Sequence, residues 1–377
     1  MNFSINILRK DFFSSLSIIQ NVAPRNATIA ILSNLLIETK NDSIEITGTD
    51  LEIGVKQTLS AEIVSPGSIT LPSRKLFEII RESDDESLNI TLYENNWVKI
   101  EGKSSNYRIA GMPAEEFPSF PEYSEEGLVK LGTDVIEELI EKTSFSIAQG
   151  EDNQFTLGGA LIEKETGEDG KNLLKMISSD GHRLSYMEVN VEDNIDNLNI
   201  GDTTLIPRKG ILEMRRFCDE DDFVYLGFEE KQAVIKKENA VMIIKLIKGS
   251  FPKYNKIIDA VNRDKFINVN RISFLNSMKR INLFAEDLYN IVNYVIEDET
   301  MILSSESMDI GSAKEYITIE NKGDPLNLNF NGKYFIDTMQ VMKSDDLHIY
   351  IGSNESPCLI IGDDDQGFMS VIMPMKV

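Results

Sequence analysis

Apolar and polar positions along this chain fall into a pattern that recurs three times. Each copy opens with an amphipathic helix. The first covers residues 8–21, with Leu8, Phe12, Leu16 and Ile19 at helical spacing. The second covers 133–147, with Val135, Ile136, Leu139 and Ile140, and the third 270–284, with Leu275 and Met278. Strands follow and end in a Ser/Thr-plus-acid turn. The three turns are Gly48-Thr49-Asp50-Leu51-Glu52, Ser178-Ser179-Asp180-Gly181-His182 and Ser304-Ser305-Glu306-Ser307. A second helix then opens after a strand, at Pro72, Pro207 or Asn331; a proline suits a first helical turn, where its missing N–H had no partner. Period-2 hairpins come next, over Leu88 to Ile100 (turning at Asn95-Asn96), Phe223 to Ile235 and His348 to Ile361. Each copy closes on a last strand that ends near a proline: Ile109 to Pro113, Ile247 to Pro252 and Val371 to Met375.

The order and spacing of these elements recur together, which chance likeness among unrelated α+β domains would not produce. Asp50 and Asp180 stand 130 residues apart, and Asp180 and Glu306 stand 126 apart. The chain therefore reads as an α+β protein of three repeated domains, 1–126, 127–255 and 256–377, each with two helices on antiparallel sheet. The Phe117-Pro118-Ser119-Phe120-Pro121 stretch and the segment after Phe251-Pro252 are the linkers.

Charge changes the picture next. The 377 residues carry a net charge of -24, which read alone argues against a nucleic-acid partner. Its distribution argues otherwise. The six predicted helices together carry +6, so the remainder holds -30. Five of the six are positive; the helix over 133–147 is acidic at Asp134, Glu137, Glu138 and Glu141, and Glu151-Asp152 follows it. Helices gathered on one surface would attract a polyanion there while the rest repelled it. No base-reading motif stands out, so contact with phosphates alone is expected.

Candidate chemistry is sparse. There are two histidines, His182 and His348, and two cysteines, Cys218 and Cys358, without a Cys-x-x-Cys. That suits a reducing cytoplasm. No nucleophile can be linked to His182, and His348 reads as structural. The run Asp363-Asp364-Asp365 falls in a hairpin turn and is expected to be solvated rather than metal-binding. No phosphate-binding glycine loop occurs, so neither nucleotide hydrolysis, nor a cofactor, nor a metal is expected. There is no secretion-signal pattern at Met1 to Asn6 and no apolar run of about 18 residues. An enzyme on nucleic acid would need a catalytic cluster that is not seen. A β-rich adhesion scaffold would predict a signal peptide and no helical charge bias.

Several motifs taken together resemble the bacterial DNA polymerase III beta sliding clamps. They are Thr47-Gly48-Thr49-Asp50-Leu51-Glu52, Asp180-Gly181-His182-Arg183-Leu184, Pro207-Arg208-Lys209-Gly210, Gly249-Ser250-Phe251-Pro252-Lys253-Tyr254 and Met373-Pro374-Met375-Lys376. The resemblance runs from residue 3 to 377. It implies a homodimer closed head-to-tail into a six-domain ring around double-stranded DNA, without catalysis. It also implies a pocket for peptides of the DNA polymerase III catalytic subunit, the clamp loader, other polymerases and repair proteins, which insert a glutamine and apolar anchors. The matching pocket positions are Leu157, Ser179, Gly181, His182, Arg183, Leu184, Pro252, Ile257, Tyr289, Asn331, Tyr334, Val371, Ile372, Met373, Pro374 and Met375. Matching DNA-facing positions are Arg25, Arg74, Lys75, Arg208 and Lys209, and matching dimer-interface positions are Tyr107, Ile109, Leu283 and Phe284. Glu355 and Pro357 at the pocket rim depart from the family pattern, as does the acidic helix.

Overall fold

In the computed structural model each repeat opens on a strand that runs straight into a helix. Residues 3–376 are described, apart from 25–26, 151–156, 167–170, 193–194, 202, 220, 265, 286–289, 308, 310, 322 and 354. The α-helices are α1 (Arg9–Ile19), α2 (Ser73–Glu82), α3 (Thr133–Thr143), α4 (Arg208–Cys218), α5 (Tyr254–Asp259), α6 (Arg271–Ile281) and α7 (Gly332–Val341). None is long and apolar enough to cross a membrane. Both cysteines are buried, and neither is in a disulfide.

The periodic faces are the buried ones: Phe12, Leu16 and Ile19 of α1, and Leu275 and Met278 of α6. Helix ends differ from the sequence expectation. Leu8 lies not on the buried face of α1 but at the end of strand Ser4–Leu8, and it is exposed. The last turns expected of α3 and α6 are separate 3-10 turns, Ser144–Ser146 and Asn282–Phe284. Pro72 and Asn331 stand one residue ahead of their helices; Asn331 caps α7 by accepting from Lys333 N at 3.0 Å, and Asn270 caps α6 by accepting from Ser273 N at 3.1 Å. The six-residue α5 was not expected, being too short to display a period.

Two of the turns form as expected, and the third does not. Ser304 to Ser307 are the end of strand Thr300–Ser307, with Glu306 paired opposite Ser312. Aspartate can accept from a backbone N–H two residues on and so hold a tight turn, whereas the longer glutamate side chain does not favour that loop.

Among the described residues all strand pairing is antiparallel, in four sheets. Contacts divide the chain into two compact units, one of residues 1–134, 193–199 and 212–246, the other of 135–192, 200–211 and 247–377. The first unit holds a five-stranded sheet ending at strand Asn106–Ala110 and an eight-stranded sheet. In the latter, the last strand of the second repeat is Ala240–Lys245, which ends ahead of the expected Ile247 to Pro252, and it pairs with Ile53–Ser60, the strand after the first acid turn. The second unit repeats this rule. There Phe368–Ile372 pairs with Arg183–Val191, the strand after the second acid turn, inside a nine-stranded sheet. Its four-stranded sheet ends at strand Gly311–Thr318.

Two arginines tie helix ends together by one device. Arg9 in α1 donates to the carbonyls of Ile80 and Arg81 at the end of α2, at 3.0 and 2.8 Å. Arg271 in α6 donates to Met339 in the last turn of α7 and to Ser344 just beyond it, at 3.3 and 2.6 Å. Both satisfy carbonyls that a helix end leaves without partners.

The acidic run is not uniformly solvated. Asp363 and Asp364 are exposed, but Asp365 is buried, with its side chain fully covered. It accepts from Lys142 Nζ, from the backbone N–H groups of Lys343 and Ser344 and from Ser344 Oγ. Lys142 is equally covered and also donates to Val341 O at 2.6 Å. Burial alone pushes the Asp365 pKa up, but the hydrogen bonds from Lys142 and Ser344 outweigh it and hold the carboxyl below its ordinary value. Because the folded pKa lies below the unfolded one, this contribution is complete above about pH 4 and fades as pH falls through the folded pKa. Lys142→Met, which strands the carboxylate, is expected to cost about 3–5 kcal/mol. Lys142→Met with Asp365→Asn should recover part of that loss, as urea denaturation at neutral pH would measure.

Candidate partner-peptide site and nucleic-acid-facing helices

Within the second unit, the turn at Ser179-Asp180-Gly181-His182 is built from its own side chains. Ser179 Oγ donates to Arg183 O at 2.7 Å and accepts from Gly181 N at 3.1 Å. Asp180 Oδ1 accepts from His182 N and Arg183 N, both at 3.0 Å. Gly181 sits at φ +89°, a left-handed conformation that glycine adopts without strain. A Cβ there would stand 3.7 Å from Leu157 Cδ1, an ordinary contact, so the backbone conformation and not crowding is what favours glycine.

The turn delivers Arg183 to a place it could not occupy without several partners. The residue is 8 % exposed. Its Nε donates to Asp180 Oδ2 at 2.9 Å, Nη1 to Asp337 Oδ2 at 2.8 Å and Nη2 to Phe145 O at 2.6 Å. The guanidinium also lies 4.5 Å from the ring centre of Tyr334, on the first turn of α7. Burial, followed by the Asp180 carboxylate, raises the Tyr334 hydroxyl pKa, with Arg183 opposing.

Next along the strand, Leu184 pairs across from Val371, and both are buried. They belong to one apolar cluster with Ile177, Tyr254, Ile258 and Leu359, against which Ile257 and Phe251 pack. The ladder runs one step beyond the strand, where Met373 N donates to His182 O at 2.9 Å. Pro374 has no N–H to continue it. Met375 N donates instead to Asn329 O at 2.7 Å. Met373 and His182 are left exposed at the edge of this apolar floor, and Pro252 is exposed just ahead of α5.

The structure thus brings together Leu157, Ser179, Gly181, His182, Arg183, Leu184, Ile257, Tyr334 and Val371 to Met375, with Asn331 as the cap of α7. Tyr289 and Arg25 lie outside the described residues, as do Glu151 and Asp152. Asp337 and Phe145, which hold Arg183, were not read from the sequence, since neither has a local relation to it. Tyr254 was quoted there only within a motif; its hydroxyl donates to Glu163 Oε2 at 2.5 Å. At the rim, Glu355 accepts from Lys376 Nζ at 3.1 Å, and Pro357 is half-buried.

The cationic helices carry less free charge than a count of residues suggests. Arg74 and Lys75 are exposed at the start of α2, beside a cavity of about 810 Å³. Both reach Glu78, at 3.1 and 2.9 Å. Arg280 is bound to Glu315, and Arg9 and Arg271 serve as helix caps. Arg208 and Lys209 open α4 half-buried. Lys10, Arg215, Lys279 and Lys333 are exposed. In α3, Asp134, Glu137 and Glu141 are exposed, and Glu138 lies 3.8 Å from Lys343 Nζ.

Of the expected interface residues, Leu283 is 72 % exposed and Phe284 is half-buried. Tyr107 is half-buried on the outermost strand of its sheet, while Ile109 is buried in the first repeat.

The chain matches the DNA polymerase III beta subunit along its length: the N-terminal domain over residues 1–121, the central domain over 130–253 and the C-terminal domain over 260–376. It belongs to the DNA polymerase III beta subunit family. Among curated relatives, the beta sliding clamp of Haemophilus influenzae is 27% identical over 380 residues, covering 100% of both chains. That of Chlamydia muridarum is 25% identical over 371 residues, covering 98% of each. The crystal structure of the Caulobacter crescentus sliding clamp matches with a TM-score of 0.91 at 26% identity, over 99% of this chain and 100% of that one. A Bartonella birtlesii clamp bound to griselimycin matches with a TM-score of 0.92 at 25% identity, over 100% of both. The three-domain clamp fold, α+β with antiparallel sheets, is therefore the fold of this beta-subunit chain.

Arg183→Lys keeps the charge but loses the three-way fork, leaving Asp337 or Phe145 O without a partner. An unfolding free energy lower by about 2 kcal/mol is expected, read as a lower urea midpoint. His182→Ala, at an exposed position, should stay within about 0.5 kcal/mol of the parent.

Proposed function

We propose that this clamp-family chain is a non-catalytic processivity factor that closes head-to-tail with a second copy around duplex DNA and tethers partner proteins to it. One observation carries the reading. Two junctions obey the same rule, in which the last strand of a repeat pairs with the strand after the acid turn of the repeat before it. Two ends of the pattern are left over. Among the described residues Asn106–Ala110, the last strand of the first repeat, pairs on one side only. So does Gly311–Thr318, the strand of the third repeat that stands in the place of Ile53–Ser60 and Arg183–Val191 and presents Tyr316 at 65 % exposure. A second copy joined by the same rule satisfies both edges, and edge satisfaction is what sheet proteins require. Tyr107 and Ile109 on one edge, with Leu283 and Phe284 beside the other, are the interface we assign.

The domains are taken as 1–126, 127–255 and 256–377, supported by the spans of the three family matches. Double-stranded DNA is held by Arg25, Arg74, Lys75, Arg208 and Lys209 through phosphates, weakly and without regard to sequence, since much helical charge is already neutralised. The pocket residues named above, with Tyr289, receive an apolar peptide anchor. Met373 and Met375 there adapt to different side chains, which suits several partners: the polymerase III catalytic subunit, the clamp loader, other polymerases and repair proteins. The cytoplasm is the expected compartment.

Retention on nicked circular DNA after loader-assisted assembly tests this. The protein should remain on circles at high salt and leave once the circle is linearised; equal loss from both forms as salt rises would sink the ring reading. Leu283→Asp should leave melting unchanged yet weaken the dimer about ten-fold or more, as sedimentation velocity would record.

A further inference from the structure

We propose that each chain carries a second peptide site, at the first repeat junction, that takes one apolar anchor next to an acidic residue. The inference rests on reading the Gly181–Met373 region as a peptide site, because the first unit builds the same frame from other residues. Thr49 Oγ1 donates to Ile53 O at 2.9 Å and accepts from Leu51 N at 3.0 Å. Asp50 Oδ1 accepts from Glu52 N at 2.9 Å and Ile53 N at 2.7 Å. Each bond has its counterpart in the turn at Asp180. The step beyond the ladder is also present, with Lys245 N donating to Glu52 O at 2.8 Å where Met373 N donates to His182 O. Ile53 pairs with Ile244 as Arg183 pairs with Ile372.

Two substitutions distinguish this frame. Gly54 stands where the second frame has Leu184, and a ring from outside the frame takes the place of that side chain. The ring is that of Phe120, 3.1 Å from where a Cβ on Gly54 would be. What remains is a cavity of about 230 Å³ lined by Leu51, Ile53, Gly54, Pro118, Pro121 and Ile243. That is smaller than a pocket for a whole drug-sized ligand and suits one side chain. Leu51 takes the place of Gly181. It sits at φ +75°, where a leucine is sterically disfavoured, and it is 52 % exposed at the mouth of the cavity. A strained and exposed apolar residue is unfavourable twice over in the free chain, and a bound apolar group would cover it.

Charge selects the neighbour of the anchor. Lys231 and Lys245 line the cavity and are exposed, against one carboxylate at Glu52. An acidic flank is thereby favoured over a basic one.

Methyl NMR on the full chain tests the idea, with the acetylated tetrapeptide Gly-Leu-Phe-Asp amide as probe. Two independent, saturable sets of shifts are expected, one at Leu51, Ile53 and Ile243 and the other at Leu184 and Val371. Leu51→Gly, which suits the left-handed turn, and Lys245→Glu should each weaken the first set at least five-fold without moving the second. A probe with lysine in place of its aspartate should weaken the first set alike. Saturable shifts only at Leu184 and Val371 would overturn the second site and leave the proposed function standing. Shifts only at Leu51, Ile53 and Ile243 would uphold the second site while the peptide reading of the other failed. Shifts at neither, or shifts that never saturate, would overturn both.

Discussion

Backbone pairing across repeat junctions is the constraint on which the remaining features depend. A strand alternates its faces residue by residue, so a slip of one position would turn Leu184 and Val371 out of the core together. The Asp180 turn prevents the slip, because its carboxylate fixes the first two N–H groups after the turn and therefore where strand Arg183–Val191 begins. Arg183 follows, and its fork can meet Asp337 and Phe145 O only in that register. The apolar floor, the exposed Met373 and the seat of Tyr334 are consequences of one local turn joined to one distant strand.

Electrostatics in this chain work mainly by placement rather than by total. A net charge of -24 would keep DNA away if it were spread evenly. The structure uses several helical cations internally, as caps at Arg9 and Arg271 and as pairs at Arg74, Lys75 and Arg280. Surface pairs of this kind add little stability. Their effect is to soften the attraction to phosphate, which suits a protein that must move along a duplex rather than grip one site.

Local chemistry was legible in the sequence and distant chemistry was not. Thr49-Asp50 and Ser179-Asp180 announced their turns because the bonding partners lie within four residues. The helical faces of α1 and α6 followed from spacing, and the Asn95-Asn96 turn from two residues that tolerate positive φ. Asp365 could not be read, since its partner Lys142 lies in another repeat and an Asp-Asp-Asp run ordinarily means a solvated loop. Arg9 and Arg271 were counted as surface charge for the same reason. Glu306 misled through its likeness to Asp50 and Asp180, where a single methylene separates a turn-former from a strand residue. Most of the pocket was reached through family resemblance; physical reading of the sequence alone would have made Val371 to Met375 an ordinary buried strand.

The position of strand Phe368–Ile372 sets the order in which a newly made chain can be completed. It lies in the interior of the nine-stranded sheet, between Arg183–Val191 and Cys358–Gly362. Until those residues have left the ribosome, Arg183–Val191 remains an open edge with Leu184 uncovered. Such an edge is sticky, and the wait spans nearly half of translation. A growing chain therefore presents its unfinished sheet long before the strand that covers it exists. Premature termination after residue 246 but before residue 368 would yield a product with a folded first unit and an adhesive second one.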